Sequence, residues 1–132
     1  MRIERELMRG AGPVAVLKLL QRREMYGYEL VETLDQRTQG ALAMGQSTLY
    51  PMLYNLEAQG FIEATWKQAS DKATTGPRER KYYRLTDKGR KRLADESAQW
   101  EAVIRAMKAL GVASHALVGR LSPAPANARR FA

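Results

Sequence analysis

The sequence contains no cysteine. That excludes disulfides, thiolate zinc sites and cysteine nucleophiles, and it fits a reducing compartment such as a bacterial cytoplasm. Histidine occurs once, as His115. It lies beyond the last strong helical pattern with no acid nearby in sequence, so neither a catalytic triad nor a histidine metal cluster can be assembled. There is no apolar run of about 18 residues, so no membrane span is expected. The opening MRIERELMRG interleaves acids and bases and lacks the apolar stretch of a secretory signal. GAGPVA at residues 10–15 has the outline of a dinucleotide fingerprint. It follows a charged segment where that motif needs a buried strand, and no P-loop is present. Enzymatic chemistry, cofactors and metal ions are therefore not expected.

What the chain does have is positive charge in one place. Its 132 residues, enough for one domain with a modest core, carry a net charge of +8. Between residues 66 and 92, ten bases face only Asp71, Glu79 and Asp87, so this stretch holds seven of the eight excess charges. Arg120, Arg129 and Arg130 add to the Pro/Ala-rich tail without an accompanying acid. A stripe of this kind points to a polyanionic partner, whereas scattered lysines would point only to solubility.

The apolar spacing predicts the elements. Pro13 suits a first helical position, with Val14, Leu17 and Leu20 following at steps of three. A break near Gly27 precedes a second helix with Tyr28, Val31 and Leu34 on its apolar face. QGALAMG is a connector with one or two strand-like residues at Leu42–Met44. Leu49, Leu53 and Leu56 mark a third helix, with Ser47 as N-cap, Pro51 at the fourth helical position and Gly60 as C-terminal cap. FIEATWKQ, with Ile62, Ala64 and Trp66 on one side, and RERKYYRL form a β-hairpin. Its long loop carries Lys72 and Arg78. Thr86 then caps a helix from about Asp87 to Leu110, with Leu93, Trp100, Val103, Ile104, Met107 and Leu110 as an apolar stripe.

The expected fold is mainly α with a small β-hairpin: a winged helix-turn-helix followed by a long C-terminal dimerisation helix. Residues 1–12 form an N-terminal arm packing at the dimer seam, 13–85 the DNA-binding domain, 86–111 the dimerisation helix and 112–132 a basic flexible tail. Within this frame Ser47, Thr48, Tyr50, Pro51 and Tyr54 face the DNA groove. These short or planar side chains stand where exposed helices usually carry Glu, Lys or Gln. Lys72, Arg78, Arg80 and Lys81 are expected on phosphates, with Tyr26 and Tyr28 contributing to core and backbone contact. Leu7, Leu93, Trp100, Val103, Ile104, Met107 and Leu110 are expected at a homodimer interface.

Three stretches resemble the PadR family of transcriptional regulators: MYGYEL (25–30), STLYPMLYNLEAQGFIE (47–63) and RKYYRLTDKGR (80–90), in the family's order and spacing. The resemblance spans Pro13 to Leu110. It implies a cytoplasmic bacterial repressor that binds a palindromic double-stranded operator as a homodimer through its third helix and wing. Placement of Trp100 resembles that of members responding to flat aromatic compounds, which implies an effector site between subunits lined by Trp100, with Ile104 beside it. The wing loop QASDKATTGPRE is longer than the family's common one, and the basic tail is not a family element. Two alternatives stay open: a MarR-type regulator, which shares the LT…KGR feature, and a winged helix that binds protein through an apolar third-helix face.

Overall fold

The computed structural model describes residues 1–68 and 79–113. In chain order the elements are α1 (Arg5–Arg22), β1 (Met25–Tyr26), α2 (Gly27–Arg37), α3 (Gln46–Ala58), β2 (Ile62–Gln68), β3 (Glu79–Leu85) and α4 (Asp87–Ala109). Residues Met1–Asp95 form one compact unit, and a second begins at Glu96, within α4.

The first unit is a three-helix head with a small sheet. Val16, Leu17, Leu30, Leu34, Leu49, Leu53 and Ile62 are its most deeply buried side chains. They come from α1, α2, α3 and β2, and each fully buried aliphatic contributes about 1.5–3 kcal/mol. No polar or charged side chain is buried among the described residues. Leu49, Leu53 and Leu56 face inward from α3 as their spacing predicts.

The sheet has three strands rather than two, in the order β1-β3-β2, all antiparallel. Met25 opposes Tyr83 and Tyr26 opposes Tyr82. Strand β1 is too short to show a period, so only its pairing with β3 reveals it. The expected strand-like residues at Leu42–Met44 are instead turn and irregular backbone, and Leu42 N–H donates to the Thr38 hydroxyl at 3.0 Å.

Several local expectations change. Helix α1 starts at Arg5, so Pro13 lies inside it rather than at its first position. The proline removes only the bond to the Arg9 carbonyl, and Arg9 and Gly10 are exposed, which leaves that carbonyl to water. Ile3 and Met8 pack in the head's own core, and Ile3 N–H bonds the Ala41 carbonyl at 3.2 Å; Leu7 is exposed. On α2, Leu30 and Leu34 are buried, whereas Tyr28 points outward. The N-cap of α3 is Gly45, not Ser47, and Ser47 sits inside the first turn. Pro51 is consequently the sixth helical residue, and its absent N–H leaves the Ser47 carbonyl at the exposed helix start.

Other local expectations hold. Gly60, with φ of +81°, follows the α3 C-cap residue Gln59. Thr86 caps α4, its hydroxyl accepting from Gly89 N–H at 3.0 Å and donating to the Gly60 carbonyl at 2.6 Å. Gly89 is required here, because a Cβ would lie 2.0 Å from the Phe61 carbonyl oxygen.

In the second unit α4 continues through Trp100, Val103, Ile104 and Met107 to Ala109, and Leu110 follows at once. Trp100 is half-buried; Val103, Ile104, Met107 and Leu110 are exposed apolar side chains at helical spacing.

Candidate nucleic-acid interface

Helix α3 divides cleanly between two environments. Its leucines fill the head, while Ser47, Thr48, Tyr50, Pro51 and Tyr54 are all exposed. Tyr54 is 72% accessible. No base occurs in α3, and its single charged side chain is Glu57 near the C-terminal end. The outward face thus carries hydroxyls, the amides of Gln46 and Asn55, Pro51 and two planar rings. Such groups can approach base edges and phosphates closely without carrying a large hydration shell. Its exposed rings, Tyr50 and Tyr54, each end in a hydroxyl.

Tyr50 is held by the start of α2. Its hydroxyl occupies the space beside Gly27, where a Cβ would come within 2.5 Å of it. Tyr26, immediately before α2, donates its backbone N–H to Glu29 at 3.2 Å, and Glu29 also accepts from Arg23 at 2.9 Å. Glycine at residue 27 thereby lets the beginning of α2 and the first half of α3 meet at one surface, with Tyr28 exposed nearby in sequence.

The strand register sorts the wing residues onto two faces. Tyr26, Tyr82, Arg80, Arg84, Thr65 and Lys67 belong to the outer face. There the Tyr26 and Tyr82 rings meet edge-on with centroids 5.5 Å apart. The Arg80 guanidinium lies 4.4 Å from the Tyr26 centroid and the Lys67 ammonium 5.9 Å from that of Tyr82. Lys67 also pairs with Glu24, and Arg84 with Glu63. Contacts of this kind order a cation against the sheet surface.

Lys81 belongs to the other face, which continues the core face formed by Tyr83, Leu85 and Ile62. Its ammonium lies 3.8 Å from the Glu57 carboxylate, tying the hairpin to the end of α3. Beneath it, burial pushes the Tyr83 hydroxyl above its ordinary pKa. Arg80 and Lys81, neighbours in sequence, therefore serve opposite sides of the wing. Lys72 and Arg78 lie outside the described residues.

The bases after the wing behave differently. Lys88 donates to the Gln59 carbonyl at 2.8 Å, closing the end of α3, and both Lys88 and Arg92 sit over the Phe61 ring. Arg90 pairs with Asp87. Trp66, expected on the same side of the strand as Ile62, is on that face but 62% exposed, because the hairpin extends past the core. Among the described residues no group of three or more His, Cys, Asp or Glu could hold a metal ion, and no helix is long and apolar enough to cross a membrane.

Comparison with known proteins places this geometry. The model of the transcriptional regulator PadR-like family matches residues 16–95. An uncharacterized protein of Lysinibacillus sphaericus is 30% identical over 101 residues, 76% of this chain and 88% of its own. The crystal structure of a PadR family transcriptional regulator from Eggerthella lenta shares 34% identity, with a TM-score of 0.65 over 80% of this chain and 85% of the other. A PadR-like transcriptional regulator from Bacillus cereus shares 27% identity, with a TM-score of 0.70 over 83% of this chain and 99% of its own.

Proposed function

The chain belongs to the PadR-like family of transcriptional regulators, which sets aside the MarR-type alternative, and on that premise we propose that it is a cytoplasmic homodimeric repressor of a palindromic operator. DNA-binding regulation is the family's activity; the repressor role, the operator symmetry and the dimer are this reading's own. The observation that carries it is the hydroxyl-rich outer face of α3, which holds no base and a single acid near its end, beside the ordered cations of the wing. Ser47, Thr48, Tyr50, Pro51 and Tyr54 enter the major groove, Arg80 and Lys81 hold phosphates on either side, and Tyr26 and Tyr28 support the backbone contact. Lys72 and Arg78 join them from the wing loop.

Two copies meet through Val103, Ile104, Met107 and Leu110, whose exposure suits a helical seam, with Leu7 and Trp100 contributing. Leu93, expected in that seam, is buried within the head's own core. A flat aromatic effector binds beside Trp100 and Ile104 and changes the separation of the two α3 helices. Half-sites repeat at about 34 Å, so a change in that separation weakens operator binding.

Fluorescence anisotropy tests the reading, using the duplex upstream of the protein's own coding region and a scrambled duplex at two salt concentrations, with sedimentation measured in parallel. Tight, sequence-dependent, salt-sensitive binding by a dimer supports it. A monomer that binds both duplexes equally would overturn the dimeric-repressor reading.

A further inference from the structure

We propose that Trp66 is a DNA-backbone contact that acts without charge: its indole packs on a deoxyribose of the strand flanking α3 while its ring N–H donates to a phosphate. The proposal rests on the reading of α3 and the wing as the DNA-facing surface. A single exposed apolar residue ordinarily needs no explanation. Trp66 differs through its place. It stands directly opposite Lys81 in the hairpin register, on the face that continues the core. Lys81 reaches Glu57 of α3 at 3.8 Å, so this face of the hairpin and the flank of α3 that carries Tyr50 and Glu57 adjoin.

The surroundings favour a polyanion over another protein. The stretch 66–92 holds most of the chain's excess positive charge, and Lys81 lies across the ladder from the indole on the same face. An anionic backbone running past this face would meet Lys81 and Trp66 together. Tryptophan suits the task because it offers a rigid apolar plate and one donor, with little side-chain entropy to lose.

The charge-free character gives a distinctive test. Each phosphate neutralised by a base adds about one unit to the dependence of log affinity on log salt, and a neutral indole adds none. Trp66→Ala is therefore expected to weaken binding of the protein to every duplex, roughly five- to tenfold, less than the loss of a central hot-spot aromatic. Its salt slope stays that of the wild type. The wild-type protein, titrated with a 30-base-pair duplex of mixed sequence at low salt, also changes its tryptophan emission; Trp66→Phe diminishes that change, leaving only what Trp100 reports. Such a duplex suffices because the contact ignores sequence. Binding that persists unaltered in Trp66→Ala, or an emission change as large in Trp66→Phe as in the wild type, overturns the proposal and leaves the DNA-binding surface standing. Failure of the wild type to bind any duplex overturns both.

Discussion

RKYYR at residues 80–84 and KGRKR at 88–92 are two basic runs of similar composition separated by three residues, yet they do different work. In the first, Arg80 is stacked on Tyr26 at the open outer face of the sheet. In the second, Lys88 closes the carbonyl end of α3, Arg92 covers Phe61 and Arg90 pairs within its own helix turn. Counting charges cannot separate them; the acceptor each one finds does. The wing sets its cations against the rings and carboxylates of its own sheet and of α3, at the surface beside the hydroxyl-rich helix. The start of α4 uses its cations to join secondary-structure ends, so their expected contribution is stability.

The strongest way to break this contrast is Gly89→Ala, which attacks the packing that brings the second run against the α3–β2 turn. Alanine gains about 1 kcal/mol of helix propensity over glycine. Against that, its Cβ would lie 2.0 Å from the Phe61 carbonyl oxygen and 2.8 Å from a Leu85 methyl. Backbone cannot yield as a flexible side chain can, so the clash wins. A net loss of about 2–3 kcal/mol is expected in urea denaturation. Wild-type stability would show that the turn and α4 separate at little cost.

The paired substitutions Arg80→Ala and Lys88→Ala sharpen the contrast. Arg80→Ala should weaken binding to all duplexes and make the salt slope shallower by about one unit, with stability changed by less than about 1 kcal/mol. Lys88→Ala should do the reverse: about 1 kcal/mol of stability lost with its charge-assisted bond to Gln59, and the salt slope retained. Anisotropy at several salt concentrations and thermal denaturation of both variants decide the matter. Equal slopes for the two would dissolve the distinction between the runs.

Much of this was legible from spacing. The inward leucines of α3, the outward hydroxyls and rings, the hairpin and the Thr86 cap all follow from local pattern and chemistry. The features that were not legible depend on tertiary pairing. Met25–Tyr26 becomes a strand only because Tyr82 and Tyr83 present a ladder to it. The alternation of β2 continues through Trp66, but the core ends before it, so period no longer reports burial. Pro13 reads as a helix start because proline favours that position; α1 nevertheless begins earlier, with Met8 anchoring the extra turns in the core. The opposite facing of Arg80 and Lys81 was implicit in strand geometry. Its meaning required knowing that Glu57 and Tyr26 lie on the two sides.

Glu57→Gln probes the smallest effect and sits where the two kinds of base meet. Glu57 is the one charge on α3, and its pairing with Lys81 spans 3.8 Å between side chains each more than a third exposed. Such a pair contributes at most about 1 kcal/mol, so stability should scarcely move. Binding should move in the opposite direction from the other variants. An acid on the DNA-facing helix repels phosphates and engages a lysine that could otherwise neutralise one. Its removal is expected to tighten binding to every duplex roughly two- to threefold and to steepen the salt slope. Weaker binding confined to the operator would mean something else: the carboxylate accepts from a cytosine amino group, a bond that the neutral amide of glutamine makes more weakly. Glu57 would then read a base, and Lys81 would serve to position that carboxylate rather than to hold a phosphate.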